Sequence, residues 1–306
     1  MPAAKLSSAV PAAPMGKGTA APVKATPLLI ALFCVLWSSA FAAAKIGLLY
    51  CPPLLLLGVR FLCAGALILI ACALFGALRP LSRRDWGALI VAGVLNNAAY
   101  LGLSYTGTVT VSSGLTAVII SANPLLTALL AGPVLGERLT VRKLGGVLLG
   151  MVGVAIVLRS RLADAHEDLR GTLFVLAGLV ALTAGTLVFK RLKTAAGLWQ
   201  ASGIQSLAAG IALLPVALAT ENLAAVRLTP DLLMSFAYLV GPVSIGGYSL
   251  WYFILGRSSA TEATALHFIM PPLGLFFGWL LLGEYIPPLD FLGVLPIAAG
   301  IWLVTR

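Results

Sequence analysis

The sequence predicts an all-α, polytopic membrane protein whose ten transmembrane helices form two inverted five-helix repeats. The first observation behind this prediction is composition. Charged residues make up 10% of the chain, 60% of it is hydrophobic, and the mean hydropathy is +1.04. Soluble domains carry roughly 25% charged residues, so this chain lacks the charges to cover a water-exposed surface. The bilayer must surround most of it.

The second observation is a segment that occurs twice, 147 residues apart. PLLTALLAGPVLGE at 124–137 is echoed by PPLGLFFGWLLLGE at 271–284. The register continues through Gly-Val-Leu at 146–148 and 293–295. Self-similarity at a fixed offset indicates an internal duplication.

The third observation is a series of apolar stretches, each close to the roughly 20 residues that cross a bilayer. Capping-box spacing at Ser82–Asp85 and Ser259–Glu262, and Thr229 before Pro230, mark three helix starts. The ten predicted helices cover 27–46, 53–76, 84–104, 110–135, 142–159, 170–190, 197–219, 231–255, 260–282 and 288–305.

These helices divide the chain into two repeats. Residues 1–26 are rich in Ala, Pro, Gly and Ser and predict a disordered cytoplasmic N-terminus. A signal peptide is the alternative, but the first apolar run lies too far from the start, which favours an uncleaved span. The first repeat is predicted over 27–159, an external linker over 160–169, and the second repeat over 170–306.

Lysine and arginine predict the orientation. With the N-terminus inside, fourteen of them lie on the cytoplasmic side and five on the outer side. Both termini are therefore expected in the cytoplasm, with the chain in a bacterial-type inner membrane. Because each repeat has an odd number of spans, the second copy enters the membrane inverted. Inverted repeats place a substrate site at their interface and support alternating access; a scaffold without transport is the alternative.

The basic residues are scattered between apolar spans, so the formal charge of +10 does not indicate a nucleic-acid partner. The four cysteines show no CxxC spacing, and we expect neither a disulfide nor a metal site. The chain also lacks a phosphate-binding loop and the HExxH and GxSxG motifs, so neither ATP-driven transport nor these hydrolytic chemistries are predicted.

Several of these features together resemble the drug/metabolite transporter superfamily, in particular its ten-span EamA-type exporters. The resemblance covers about residues 27–305. It is carried by LWSSAF at 36–41, Arg60-Phe61, the segment from Asn123-Pro124 to Gly136-Glu137 with its echo, and the glycines of the fifth and tenth helices. Within that group the chain is similar to exporters of amino acids, including aromatic ones. The resemblance implies efflux of amino acids or related metabolites.

Ionisable groups inside a membrane are costly and therefore functional candidates. Here they are Arg60, His267 and, near a helix end, Lys45, which is expected to be an interfacial anchor. No Asp or Glu is predicted at mid-membrane, which disfavours a cation/proton antiporter. The planar fork of Arg60 suits a substrate carboxylate, although an arginine that reaches helix-end carbonyls or snorkels to the surface has the same signature. The repeat places Gln205 at the equivalent position.

Two prolines, Pro124 and Pro271, predict equivalent breaks in the fourth and ninth helices. The polar residues beside these prolines are candidates to line a cavity. Aromatic and polar residues of the first, third and eighth helices could form the walls of a binding site for a small amphipathic ligand. Packing and interfacial belts are the alternatives for both sets. The predicted substrate-binding residues are Trp37, Arg60, Asn97, Tyr100, Ser121, Asn123, Tyr248, Trp251 and His267. Glu137 and Glu284, which follow these helices, are expected to cap neighbouring helices or pair with loop bases.

The sequence therefore predicts a non-enzymatic secondary transporter that exports amino acids or related metabolites by alternating access, without a cofactor. Coupling to protons through His267 and uncoupled facilitated diffusion both stay open. The expected partners are a small-molecule solute and membrane lipid, and the expected state is a monomer or weak dimer. An organic phosphate or drug-like solute is the alternative within transport, and a membrane-embedded enzyme or scaffold the alternative outside it.

Overall fold

A computed structural model describes residues 27–107, 110–111, 116, 119–162, 168–192, 194–283 and 287–305. All regular elements within these ranges are helices. Ten helical units, α1–α10, follow one another. They run over Pro27–Leu48, Pro53–Leu74, Arg83–Gly107, Ile119–Leu135, Val141–Leu162, Leu169–Arg191, Leu198–Thr220, Pro230–Arg257, Ala260–Leu281 and Phe291–Thr305. Eight are long and apolar enough to cross a membrane, whereas the described parts of α4 and α10 are shorter apolar helices.

The predicted helix starts are confirmed where they carry a capping signal. Ser82 and Ser259 form complete capping boxes with Asp85 and Glu262, and Thr229 accepts a hydrogen bond from the backbone of Leu232. The predicted start of α4 at residue 110 is wrong, because residues 110 and 111 lie in a turn and a bend. There the backbone amides of both residues bond to the carbonyl of Gly107 and close the end of α3.

Besides the 3₁₀ turn that begins α10, four helices are not regular along their length. In α3 a π-helical segment, Val94–Ala99, separates two α-helical parts, and in α8 the π-helical segment is Leu239–Gly247. In α9 a 3₁₀ turn, Leu266–Ile269, precedes the α-helix Met270–Leu282. In α4 a turn at Ala122 precedes the corresponding α-helix Asn123–Leu135. The irregular segments of these four helices thus occur in matching helices of the two repeats.

The packing of the helices follows the inverted duplication. Helix α2 packs along its repeat mate α7, and α5 along its mate α10. The other contacts between the repeats occur in equivalent pairs, in which each helix is replaced by its mate in the other repeat. The contact of α1 with α8 is equivalent to that of α6 with α3, and the contact of α1 with α9 to that of α6 with α4. An arrangement of this kind has a pseudo-twofold axis in the membrane plane.

Glycines bring the repeat mates together. A methyl group on Gly146 would lie 2.8 Å from the carbonyl oxygen of Gly300, and one on Gly153 would lie 2.7 Å from that of Gly293. The repeat offset of 147 residues relates Gly146 to Gly293 and Gly153 to Gly300, so the two contacts are equivalent. The crossing of α5 and α10 is therefore self-complementary. Small residues permit such close backbone approach in membranes, where packing rather than the hydrophobic effect holds helices together.

A second glycine marks the end of α4 and α9. Gly136 and Gly283 adopt positive φ angles of 72° and 68° and terminate their helices in the left-handed conformation. Glycine is favoured there because it has no Cβ to clash. The repeated glycine is therefore first a helix stop in both repeats.

The loops alternate between two faces of the bundle, which we name after an arginine on each. The Arg79 face carries the α2–α3, α4–α5, α6–α7 and α8–α9 connections, and the Arg227 face carries the α1–α2 and α7–α8 connections. Backbone and side-chain bonds join loops of the same face: Arg79 with Gln200, and Arg227 with Tyr50. Large apolar side chains are exposed along the outer surface between the faces, as contact with lipid requires; examples are Leu67, Ile70, Leu129, Val152, Val180, Ile211 and Trp279.

Substitution of Gly146 by leucine is expected to lower stability, because its side chain would overlap α10. Overpacking of this kind costs about 1–3 kcal/mol, and the thermal midpoint of the detergent-solubilised protein measures it. The matched control is Gly145→Leu, since the neighbouring Gly145 is exposed with nothing within 4 Å of a Cβ. Equal midpoints for the two variants would show that the α5–α10 crossing does not limit stability.

Candidate functional site

Arg60 is a buried cation without a carboxylate partner among the described residues. It lies in the second turn of α2 and is 4% exposed. Its Nε donates to Ser244 Oγ at 2.7 Å, and its Cζ lies 5.1 Å from the ring centre of Phe61. The hydroxyls of Tyr248 and Tyr105 interact with its charge. Among the described residues only Nε takes part in a recorded hydrogen bond, so the terminal nitrogens of the guanidinium stay available to a ligand.

Beside Arg60 lies an aromatic cluster, defined as Phe33, Trp37, Phe61, Tyr248 and Trp251. The ring of Trp37 is 4.7 Å from Tyr248 and 6.3 Å from Trp251, while Phe33 stacks on Trp251 at 5.7 Å. Phe61 meets Tyr248 edge-on at 5.6 Å. The cluster joins α1, α2 and α8 at the centre of the bundle, and its members are all buried.

The breaks of α4 and α9 meet on the other side of this cluster. The amide nitrogen of Asn123 and the Nδ1 of His267 share a hydrogen bond of 3.1 Å. Thr183 on α6 donates to the Asn123 side-chain oxygen at 2.9 Å. The His267 ring lies 4.9 Å from Trp251 and 6.3 Å from Trp37. The two halves of the chain are thus joined through polar groups at the points where their helices are interrupted. The aromatic cluster connects these groups to Arg60.

The two prolines predicted to break the helices lie at these interruptions. Pro124 and Pro271 each occupy the first turn of the α-helix that follows the break. There proline costs little, since the amide it lacks would have no partner inside the helix.

Three predicted site residues lie less directly in this arrangement. Tyr100 packs against Ala181 and Leu182 of α6. Asn97 is fully buried near the Tyr252 hydroxyl, without a hydrogen bond of normal geometry. Ser121 is buried in α4.

Sequence reasoning missed Ser244, Thr183 and Tyr105. Ser244 is 184 residues from Arg60 and Thr183 is 60 residues from Asn123, so no local spacing announces either pair. Ser244 belongs to the π-helical part of α8, a conformation that often marks functional sites. Sequence periodicity carries no signal for that single extra residue per turn.

A cavity of about 470 Å³ opens at the Arg227 face. Its wall is formed mainly by the α1–α2 connection from Leu48 to Pro53, together with Ala225 and Arg227. Tyr105, near the end of α3, also lines it. Pro53, the first residue of α2, lines it too, so the cavity opens at the end of α2 that is nearer to Arg60.

The Arg79 face is tied together around the corner between α8 and α9. Glu137 accepts a 2.7 Å hydrogen bond from the backbone of Ala260 and also bonds Thr261, so it caps α9, as expected for this residue. Lys143 forms a 3.0 Å ion pair with Glu262. Lys190 donates to the carbonyls of Leu255 and Ser258. Glu284, the repeat mate of Glu137, lies outside the described residues.

Asp168 is the N-cap of α6 and accepts a 2.9 Å hydrogen bond from the backbone amide of Gly171. That bond holds the pKa of the Asp168 carboxyl below its usual value. Lys45 is exposed in the last turn of α1, where an interfacial anchor was predicted.

Comparison with known proteins agrees with this architecture. A solved crystal structure superposes with a TM-score of 0.76 at 19% identity, covering 90% of this chain and 94% of that one. An uncharacterized transporter of Bacillus subtilis, YvbV, is 26% identical over 92% of each chain. A probable amino-acid metabolite efflux pump of Escherichia coli is 26% identical, over 90% of this chain and 93% of its own.

An uncharacterized inner membrane transporter of Escherichia coli, YedA, is 29% identical over 91% of this chain and 90% of its own. The model of the EamA-like transporter family matches the chain twice, over residues 25–159 and 169–306. Ten helices in two inverted repeats, matched by one family model in each half, identify this protein as a member of the EamA-like transporter family and of the drug/metabolite transporter superfamily.

Proposed function

We propose that this transporter exports amino acids or closely related carboxylates from the cytoplasm by alternating access. The observation that carries the proposal is Arg60, a cation buried in the bundle with its terminal nitrogens unused by the described residues. A buried unpaired charge is expensive, and a ligand carboxylate would neutralise it with two parallel hydrogen bonds. The name of the Escherichia coli efflux pump supports the same substrate class.

The aromatic cluster supports an amphipathic solute with an apolar side chain. Its rings adjoin Arg60 on one side and His267 on the other. In the proposed complex the carboxylate meets the guanidinium, the apolar side chain lies against Trp37 and Tyr248, and Asn123 and His267 offer hydrogen bonds to the polar remainder.

The Arg79 face is proposed to be cytoplasmic. It carries most of the lysines and arginines, as the positive-inside rule requires. Both termini then lie in the cytoplasm, and the cavity beneath Arg227 faces outward. The protein would thus be seen in a conformation open to the outside.

An uncoupled mechanism is proposed because the described spans offer no buried carboxylate to carry a proton. Every described Asp and Glu lies in a connection or in the first turn of a helix. An organic phosphate is the less favoured substrate, since it would call for more cationic groups than the single arginine at this site.

Efflux from proteoliposomes tests the substrate class. A panel of labelled amino acids is compared with the corresponding decarboxylated amines and amino-acid amides. We expect flux for amino acids with apolar side chains and none for the amines or amides, because only the acids carry the group that Arg60 would hold. Flux of the amines at equal rates would overturn the carboxylate proposal, and flux of phosphorylated solutes alone would replace it.

Arg60→Lys is expected to raise the KM for efflux by about tenfold or more, because a lysine keeps the charge but loses the bidentate fork. Arg60→Gln is expected to abolish saturable flux. The matched control is Arg170→Gln, which removes an exposed arginine whose guanidinium lies over Phe174. Comparable KM values for Arg60→Lys and the control would argue against a direct contact with substrate.

Efflux is further expected to proceed at the same rate with and without a pH gradient of either sign. The measurement is initial flux of the best substrate in the same vesicles, with a protonophore as control. A gradient effect that disappears in His267→Ala but persists in wild type would assign proton coupling to His267 and refute the uncoupled mechanism.

A further inference from the structure

A second set of polar side chains is buried beside the aromatic cluster. We define this set as the polar seam: Asn97, Ser202, Gln205, Ser206, Ser249 and Tyr252. All of them are at most 4% exposed, and each has at least one side-chain atom without a hydrogen-bond partner among the described residues. A buried polar group left unpaired costs about 1–3 kcal/mol, so a cluster of them calls for an explanation.

The members of the polar seam come from three helices that meet in the bundle. Ser202 and Ser206 lie on α7 along the same stripe as Ala209 and Leu213, which pack in the central hydrophobic core. Gln205 adjoins α3, because a methyl group on Gly93 would lie 2.4 Å from its carbonyl oxygen. Asn97 on α3 approaches Tyr252 on α8.

Ordinary packing does not account for these groups. Hydroxyls inside membrane helices usually bond to a carbonyl one turn earlier in their own helix. Thr186 and Thr264 in this bundle do so, both at 2.9 Å. Ser202, Ser206 and Ser249 do not. Their hydroxyls therefore suit partners that are present in another conformation, and water or a polar solute supplies such partners.

The position of the polar seam follows from the inverted repeats. At the offset of 145 that superposes α2 on α7, Gln205 corresponds to Arg60, and Gly203 and Gly210 correspond to Gly58 and Gly65. Close contacts between the two helices confirm this register: Gly58 meets Gly210, and Gly65 meets Gly203. Arg60 lies toward the cavity at the Arg227 face, so its repeat mate lies toward the opposite face.

In this conformation the polar seam is closed off from the Arg79 face. Apolar side chains pack beneath it, with Leu81, Leu192 and Ala196 against Leu89, Ala201 and Ile204. Beside them, Lys143–Glu262, the Lys190 bonds and the Glu137 cap hold the corner between α8 and α9.

We propose that the polar seam is the second half of the solute pathway, which fills with water and admits the zwitterionic solute when the α8–α9 corner swings away from the Arg79 face. This inference rests on the proposed alternating access and adds its inward-open half. The pathway is asymmetric: it is cationic at Arg60 and neutral at Gln205. A carboxylate is then held more tightly in the outward-open than in the inward-open conformation.

Thiol accessibility tests the proposal without knowledge of the substrate. The four native cysteines are replaced, and Ser206→Cys is introduced as the single thiol. A charged, membrane-impermeant methanethiosulfonate is applied to right-side-out and inside-out vesicles. We expect labelling of Ser206→Cys only from the Arg79 face. A variant that retains Cys51 alone reports the opposite side, because Cys51 lines the cavity at the Arg227 face, and it is expected to be labelled only there.

A second variant tests the closure. Adding Lys143→Gln removes the ion pair with Glu262 at the α8–α9 corner. The labelling rate of Ser206→Cys is then expected to rise by about threefold or more, because losing a partly exposed ion pair shifts the conformational equilibrium by about that factor. Thr186→Cys and Ile211→Cys are the controls. The first replaces a buried, hydrogen-bonded threonine, and the second a side chain that is 59% exposed to lipid. Neither is expected to react with the charged reagent.

The outcomes separate this inference from the proposed function. An unreactive Ser206→Cys in both backgrounds, in protein with a native thermal midpoint, would overturn the polar seam as a pathway, even if amino acids are exported. Labelling from the Arg227 face would overturn it as well. Labelling from the Arg79 face in a protein that moves no amino acid would uphold the pathway and reject the substrate class.

Discussion

Close glycine contacts between repeat mates are the constraint on which the rest of this structure depends. In a bilayer, lipid tails are as apolar as leucine, so helices associate through tight packing rather than through exclusion from water. Gly146, Gly153, Gly293 and Gly300 let α5 and α10 approach to backbone contact. The corresponding glycines of α2 and α7 do the same. These two crossings fix the inverted repeats relative to each other and thereby position the helices between them.

The helices between these crossings are interrupted in matching places. A membrane forbids irregular backbone in contact with lipid, because freed amides and carbonyls would have no partners. The π-helical parts of α3 and α8 and the breaks of α4 and α9 lie instead where these helices meet other helices of the bundle. Asn123 and His267 use the interruption to bond across the repeats. Most of the irregular backbone thus lies in the interior, where a solute would also bind.

Charge breaks the symmetry of the duplication. Arg60 and Gln205 occupy equivalent positions, but only one is a cation. Arg60 has a hydroxyl and aromatic rings as neighbours rather than a carboxylate. A fully paired arginine would be a structural element, whereas one with its terminal nitrogens left over is suited to an anionic ligand. On the Arg79 face the carboxylates are engaged in capping and pairing, so they hold the bundle together there.

Much of the fold is readable from the sequence alone. Hydropathy and the 147-residue echo predict ten helices in two inverted repeats, and the capping boxes at Ser82 and Ser259 place two helix starts to within one residue. These signals are local, because a span needs only its own apolar residues and a cap only its own first turn. The predicted start of α4 is too early for the same reason: the hydrogen bonds of Thr110 and Val111 that end α3 do not show in composition.

The candidate site was only partly readable. Arg60, Asn123 and His267 stand out because polar groups are rare in apolar spans. Their partners Ser244 and Thr183 do not, since serine and threonine are common in such helices and lie far away in the chain. Whether Tyr100 faces α6 or the centre, and which hydroxyls of α7 are left without a bond, depends on how neighbouring helices are rotated. The sequence by itself determined the helices, their duplication and the short list of intramembrane polar groups. Only the tertiary structure decided which of them meet, because contacts across the pseudo-twofold axis join residues that no sequence spacing connects.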